Sequence, residues 1–137
     1  MQWSSDAMYA GKLVANEGNS KHSVQDLVVL DPEQGETEFT EIMNGNPLLL
    51  IDTAGAMMYE DIDEDSLHES KFNVGECDLV LSVIKELKAG GLIDKNIGVI
   101  SPYKAQVNEI RRSLRKEAES ENTNPDAAVE VSTVDGF

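Results

Sequence analysis

Residues 101–106, Ser-Pro-Tyr-Lys-x-Gln, place a hydroxyl, a phenol, a cation and an amide within six positions. The apolar run just before them is typical of a buried parallel strand. The pattern after them is helical, with Val107, Ile110 and Leu114 spaced by three and four. In α/β sheets, ligands bind where a strand ends and a helix begins, because free backbone N–H groups and the helix dipole attract anions there.

Two interpretations of this junction remain open on the residues alone. Pro102 lacks an N–H and presets φ for a helix, so the stretch could be an ordinary helix start. The polar groups around it also suit phosphate and sugar contacts, and Tyr103 can stack on a base. The second interpretation predicts that the junction grips a nucleic-acid backbone.

The strands and helices that must position this junction follow one another in the order β-α-β-α-β. The runs at 48–51, 97–100 and 129–134 are apolar and predict parallel strands. Helices are predicted between them, from Asn73 to Gly90-Gly91 and from the junction to about Lys116. Asn73 and Glu76 have the spacing of a capping box at the start of the first helix. This order predicts a parallel sheet with right-handed crossovers.

The rest of the chain is less regular. Residues 1–15 predict a helix that stops near Gly11, and the lack of a leader pattern predicts that Met1 is internal to a longer chain. Residues 16–46 predict an irregular connection with one edge strand around Val24 and 27–30. The acidic stretch 60–69 predicts a solvated loop.

Composition limits the possible functions. No apolar run approaches the roughly 18–20 residues of a membrane span, and the single cysteine, Cys77, fits a reducing compartment, which predicts a cytoplasmic or nuclear protein. The net charge of −15 argues against tight nucleic-acid binding. Most of the basic residues nevertheless cluster between 85 and 116, either as a basic face on an acidic body or as ordinary solvated helix faces.

Several catalytic chemistries lack their residues in this sequence. Residues 52–55, Asp-Thr-Ala-Gly, occur at the switch region of small GTPases, but no G-x-x-x-x-G-K-[ST] phosphate loop accompanies them. The chain therefore cannot hydrolyse a nucleotide unaided. His22 and His68 have neither triad partners nor metal ligands at suitable spacing, so no catalytic residue and no metal site is predicted.

Four motifs taken in order resemble one family. They are Leu-Leu-Leu-Ile-Asp-Thr-Ala-Gly at 48–55, Asn-x-x-Glu at 73–76, Val-Ile-Ser-Pro-Tyr-x-x-Gln at 99–106 and Ser-Thr-Val-Asp-Gly-Phe at 132–137. This order resembles the second RecA-like domain of Upf1-like superfamily 1 helicases, and most of all the immunoglobulin-mu-binding protein (Smubp-2) helicase group. The opening Trp-x-Ser-x-x-Met-Tyr-x-Gly-x-Leu at 3–13 is similar to that group as well.

The resemblance implies a fold and a site. It implies an α/β fold with a partial RecA-like (P-loop NTPase-type) parallel sheet flanked by helices. It divides the chain into a helix plus connecting segment at 1–46 and an incomplete second RecA-like domain at 47–137. The nucleic-acid-binding residues that it implies, from motifs IV and V, are Ser101, Pro102, Tyr103, Gln106 and Thr133. The family's Gln-Gly-Arg-Glu, its finger arginine and its Tyr-Arg pair have no match here, so no nucleotide-contacting residue is assigned.

The implied function is a part of an ATP-dependent helicase that moves 5′ to 3′ on single-stranded DNA or RNA. In that family, the second domain closes with a first RecA-like domain around ATP and Mg²⁺, and it supplies part of the nucleic-acid track and one side of the ATP cleft. Without Walker motifs and an arginine finger, this chain alone is expected to be inactive and to bind no cofactor. The alternative is a non-catalytic acidic α/β protein-interaction module that recruits a basic partner.

Overall fold

A computed structural model of the chain describes residues 2–18, 20–27, 41–43, 46, 48–64, 69–120, 122 and 129–136. Its helices and strands are α1 (Gln2–Tyr9), β1 (Asp61–Ile62), β2 (Lys71–Phe72), α2 (Val74–Ala89), β3 (Gly98–Ile100), α3 (Lys104–Ser120) and β4 (Glu130–Ser132). Short 3₁₀ turns lie at Val24–Leu27, Asp94–Asn96 and Val134–Gly136.

The centre of the fold is a parallel pair of strands covered by two helices. β3 pairs with β4 in parallel, with Gly98 opposite Glu130 and Ile100 opposite Ser132. α3 connects the two strands and contacts α2 and β4. Parallel neighbours joined through a helix are the βαβ unit that the alternating pattern predicts. The α/β class, with a small parallel sheet flanked by helices, is therefore confirmed.

A continuous hydrophobic core holds α2, α3 and this strand pair together. Ile110 of α3 and Cys77 of α2 are its most enclosed side chains, each about 1% exposed. The other buried members are Leu81, Ile84, Leu92, Ile97, Val107, Val129 and Val131. Burial raises the pKa of the Cys77 thiol, so this cysteine stays protonated as a small core residue.

The two predicted ends of α2 are confirmed. Asn73 has extended backbone angles, and its side-chain oxygen accepts the N–H of Glu76 at 3.1 Å. At the other end, the N–H of Gly90 donates to Glu86 O and that of Gly91 to Lys88 O, both at 3.0 Å. Gly91 has a φ of 93°, which a residue without a Cβ adopts at little cost.

The predicted strand at 48–51 is wrong for this structure. These residues form no strand, and Leu48 and Leu50 are 88% and 87% exposed. Among the described residues the parallel sheet consists of β3 and β4 alone, so the backbone of 48–51 has no ladder to join. An apolar run becomes a strand only where a neighbour satisfies its N–H and C=O groups. Residues 48–51 remain as an exposed apolar segment.

The N-terminal region agrees with the sequence only in part. α1 ends at Tyr9, after which Ala10 and Gly11 have φ of 52° and 72°. The predicted stop near Gly11 is thus confirmed. Val24–Leu27 forms a 3₁₀ turn rather than an edge strand, because the Asp26 carboxylate accepts the N–H of Ser23 at 2.7 Å. Residues 28–30, the rest of that predicted strand, lie outside the described residues.

The acidic stretch contains a small antiparallel ribbon where a loop is predicted. β1 pairs with β2, with Asp61 opposite Phe72 and Ile62 opposite Lys71. The Asp63 N–H also donates to Ser70 O at 2.9 Å. Long-range pairing supplies the hydrogen bonds here, and the acidic side chains still face solvent on the outer strand.

Two kinds of site are not found in the described part of the chain. No helix there is long and apolar enough to cross a membrane. No three acidic, histidine or cysteine side chains come together there to hold a metal ion. His68 falls outside the described residues.

Candidate nucleic-acid interface

The Ser-Pro-Tyr junction lies where β3 ends. The Ser101 N–H donates to Ser132 O at 3.1 Å, which extends the β3–β4 ladder by one bond. Ser101 is buried, and its hydroxyl accepts the Tyr103 N–H at 3.3 Å. Pro102 and Tyr103 are exposed, and Tyr103 keeps 45% of its surface accessible. The strand end therefore presents a proline and a phenol ring to solvent, while Ser101 holds the turn beneath them.

The free backbone donors expected at the start of α3 are partly used within the protein. Ser70, next to β2, accepts the N–H of Ala105 through its hydroxyl at 3.0 Å. The Tyr103 N–H is taken by Ser101, as described above. Among the described residues, the N–H groups of Lys104 and Gln106 have no acceptor. The helix start keeps at most two donors for a ligand, and one of them belongs to the buried Gln106.

Gln106 is placed differently from its neighbours in the motif. Its side chain is buried, and its amide oxygen accepts the Asn73 N–H at 2.6 Å. Its amide N–H group donates to Asn73 O at 3.2 Å. The Gln106 side chain thus makes hydrogen bonds with both the N–H and the carbonyl of Asn73. This pair ties the start of α3 to the start of α2. In this structure the amide serves the protein backbone.

The capping box predicted at Asn73 and Glu76 is only half formed. The Asn73 side chain caps the helix, but its own N–H bonds Gln106 instead of the Glu76 carboxylate. The Glu76 carboxylate accepts the Thr53 hydroxyl at 3.2 Å on the exposed surface. Gln106 outcompetes Glu76 because it is buried and offers a donor as well as an acceptor. The link from Glu76 to Thr53 holds the segment after 48–51 against α2.

This arrangement predicts unequal effects of two alanine substitutions. Asn73→Ala should lower the free energy of unfolding by about 1–2 kcal/mol, because it removes a buried cap. Glu76→Ala should lower it by about 0.5 kcal/mol or less, because it removes one exposed hydrogen bond. Urea unfolding followed by circular dichroism measures both. A loss for Glu76→Ala as large as that for Asn73→Ala would show that Glu76 shares the cap.

A cleft of about 180 Å³ opens beside the junction. It is lined by Glu60, Lys71, Phe72, Asn73, Glu76, Ser101, Pro102, Tyr103 and Gln106. Lys71, its single lining cation, pairs with Glu60 at 2.8 Å, and this hydrogen bond raises the pKa of the Lys71 ammonium. The two carboxylates of the lining make the cleft a poor phosphate pocket. Its apolar rim at Pro102 and Tyr103 suits a flat, stacked ligand.

Thr133 lies at the same edge of the sheet as the junction. Because β3 and β4 are parallel neighbours, the residues just after Ile100 and just after Ser132 leave the sheet side by side. Thr133 is half-buried, and its carbonyl accepts the Gly136 N–H at 2.9 Å. The structure thus brings Thr133 and Ser101 to one edge. Thr133 is not among the residues that line the cleft.

The contacts that β2 and its neighbour Ser70 make with the junction are not predictable from the sequence. Ser70 caps α3 from outside its own helix, and Lys71 and Phe72 wall the cleft. No local pattern connects Ser70 with Ala105, which is 35 positions away. The burial of Gln106 did leave a signal, since Ile110 of the core lies one helical turn further on.

Within the described part of the chain, the cleft beside the junction does not by itself fit ATP and Mg²⁺. A nucleotide triphosphate needs unpaired cations and backbone N–H groups, and Mg²⁺ needs oxygen ligands beside them. The cleft offers one cation that is already paired, and the described residues gather no metal-binding cluster. The sequence also lacks a phosphate-binding G-x-x-x-x-G-K-[ST] loop.

Comparison with known proteins gives the chain relatives over almost its whole length. Residues 1–137 match the AAA domain family. The DNA-binding protein SMUBP-2 of Rattus norvegicus is 40% identical over 99% of this chain, and that of Mus musculus is 39% identical over all of it. The DNA polymerase alpha-associated DNA helicase A of Saccharomyces cerevisiae is 35% identical over the whole chain.

The aligned region is a small part of each relative. The chain spans 12% of the length of the two SMUBP-2 proteins and 19% of the yeast helicase. The match nevertheless includes the strand–Ser-Pro-Tyr–helix junction and the strand that pairs with it. The chain belongs to the AAA domain family, and these matches confirm the resemblance to Upf1-like superfamily 1 helicases that its motifs indicate.

Proposed function

We propose that this chain forms part of the second RecA-like motor domain of an ATP-dependent DNA or RNA helicase. Residues 47–137 belong to that domain in this proposal, and residues 1–46 are a helix with its connecting segment. The observation that carries the proposal is the exposed Pro102-Tyr103 corner at the end of β3, beside the end of β4. Helicase relatives match this stretch.

The corner would act as a stacking step for a single strand. Tyr103 offers a half-open ring that one base can cover, and Pro102 gives the neighbouring base an apolar surface. Ser101 contributes by fixing the turn through the Tyr103 N–H, and Gln106 contributes by fixing the start of α3. Thr133 follows the end of the adjacent strand, at the same edge of the sheet. Pro102 and Tyr103 would thus contact the bases, while Ser101 and Gln106 would hold the junction in place.

The remaining parts of the motor lie with the intact protein in this proposal. ATP and Mg²⁺ would be bound between this domain and a first RecA-like domain, which would carry the Walker motifs. This chain would form one wall of the ATP cleft and be inactive alone. Movement from 5′ to 3′ and a cytoplasmic or nuclear location belong to the same proposal. The role of this chain is to position the strand.

The test replaces Tyr103 with alanine in the intact protein. Because stacking on an aromatic ring contributes about 1–3 kcal/mol per base, single-strand affinity should fall roughly 5- to 150-fold. Tyr59→Ala is the matched control, since Tyr59 is exposed and does not line the cleft. Fluorescence anisotropy with a labelled oligonucleotide at fixed salt measures both. Unchanged affinity for Tyr103→Ala, or equal losses for the two variants, would contradict the proposal.

A further inference from the structure

The arginines of this acidic chain are all in one place. The net charge is −15, with 26 acidic and 11 basic residues, yet Arg111, Arg112 and Arg115 are its only arginines and all three lie on α3. Each of them is exposed. Arginine binds phosphate with a planar fork of donors, which lysine does not offer. The acidic body therefore carries one concentrated surface suited to an anion.

These cations form a stripe along the outer face of α3. Lys104, Asn108, Arg111 and Arg115 are spaced by four, three and four, so they share one side of the helix. The buried Ile110 lies on a different side of the helix, in the core. At about 1.5 Å per residue, the stripe is roughly 16 Å long. We call these four residues the α3 stripe.

Most of the stripe's charge is available to a ligand. Among the described residues, neither Lys104 nor Arg111 nor Arg115 has a carboxylate within ion-pair distance. By contrast, Arg112 beside the stripe is held by both oxygens of Glu109. An open recess of about 450 Å³ lies beside the Asn108, Arg111 and Arg115 part of the stripe. Its lining is Asn108, Arg111, Arg112, Arg115, Lys116 and Glu119.

The stripe begins where the stacking corner ends. Lys104 is the first residue of α3 and follows Tyr103 directly in the chain. A strand whose bases stack on Tyr103 has its phosphates outside the stack, so they could continue over Lys104 and along the helix. An acidic peptide would pair with the cations, but its carboxylates would not stack on the Tyr103 ring as bases do. Charge and continuity therefore favour a nucleic-acid backbone over an acidic protein segment.

We propose that the α3 stripe binds the phosphates of the same single strand that stacks on Tyr103. The inference rests on the proposed function and extends it from a stacking corner to a charged path. Lys104, Arg111 and Arg115 pair with phosphates, and Asn108 donates a hydrogen bond between them. Such contacts do not depend on base sequence.

The experiment measures how single-strand affinity depends on salt, in the intact protein. Each phosphate contact on a single strand contributes about 0.7 to the slope of log Kobs against log salt, so Arg111→Gln with Arg115→Gln should make the slope shallower by about 1.4. Lys88→Gln with Lys95→Gln is the control. This control removes the same total charge, from Lys88 in the last turn of α2 and from Lys95 in the 94–96 turn. Its slope of log Kobs against log salt should match that of the wild-type protein. Unchanged melting temperatures check the fold.

The outcomes separate the two proposals. If the salt dependence becomes shallower for the Arg111→Gln, Arg115→Gln variant and not for the lysine control, the result supports phosphate binding along the α3 stripe. An unchanged slope, in a wild-type protein that binds oligothymidylate, overturns the stripe and leaves the stacking corner standing. Loss of poly-glutamate binding with unchanged oligothymidylate binding overturns the stripe in favour of an acidic protein partner. A wild-type protein that binds no single strand contradicts the proposed function itself and the stripe with it.

Discussion

Replacing Gln106 with leucine should lower the free energy of unfolding by about 2–4 kcal/mol, because two buried backbone groups lose their partners. The Gln106 amide accepts the Asn73 N–H and donates to the Asn73 carbonyl, at 2.6 and 3.2 Å. Leucine has a similar volume and keeps the helix, so packing changes little. The loss therefore measures the hydrogen bonds between the starts of α2 and α3.

Asn108→Leu is the matched control for this substitution. It makes the same amide-to-leucine change on the same helix, two residues along, at an exposed position. Its effect should stay within about 0.5 kcal/mol. Urea unfolding of the 137-residue chain measures both variants. Equal effects would show that Gln106 does not hold the two helix starts together.

Replacing Ile110 with alanine should lower the free energy of unfolding by about 2–5 kcal/mol. Ile110 lies on α3 and is 1% exposed, in a core that includes Leu81, Ile84 and Val131. Truncation removes three buried carbons and leaves a cavity between α2, α3 and the parallel strands, which close packing cannot fill without strain. Because α3 begins at the junction, a weakened core should also make the position of the junction less stable.

Ile100→Ala provides the comparison at an exposed site. Ile100 ends β3 and is 59% exposed, so the same truncation removes little buried area and should cost about 1 kcal/mol or less. The denaturant midpoints of the two variants, at equal slope, give the difference. If both variants lost the same stability, the core would not be centred on α3.

The sequence is informative wherever structure is decided locally. α2 carries its own cap at Asn73 and its own stop at Gly90-Gly91, and both are where they are predicted. α3 carries a clear apolar spacing, although it runs on to Ser120, past the predicted end at Lys116. β3 and β4 follow from their apolar runs, and their parallel pairing follows from the helix between them.

Prediction from sequence fails where structure depends on a distant partner. The apolar run at 48–51 has the composition of a strand, but no described strand lies beside it to complete a ladder. The ribbon of β1 and β2 arises in an acidic stretch because two backbone segments meet, which no side-chain pattern announces. The Asn73 N–H likewise bonds the distant Gln106 side chain instead of the nearby Glu76 carboxylate that the capping box predicts.

In the candidate site, too, the local features can be predicted from the sequence and the features that depend on distant contacts cannot. The strand-to-helix junction at residues 101–103 can be predicted, because the apolar run ends there and Pro102 presets φ for a helix start. The burial of Ser101 and Gln106 follows from packing against β4 and α2, and the motif alone does not show it. The α3 stripe was visible only as a cluster of bases until the helix placed them on one face.

The most direct test of the central claim is photo-cross-linking of a thiopyrimidine-labelled single strand to the intact protein, followed by mapping of the tryptic peptides. Cleavage after Lys95 and Lys104 isolates the junction in one peptide, residues 96–104. This peptide should carry a cross-link in the wild-type protein, and Tyr103→Ala should remove it. Cross-links confined to other peptides, with residues 96–104 unmodified in the wild-type protein, would contradict it.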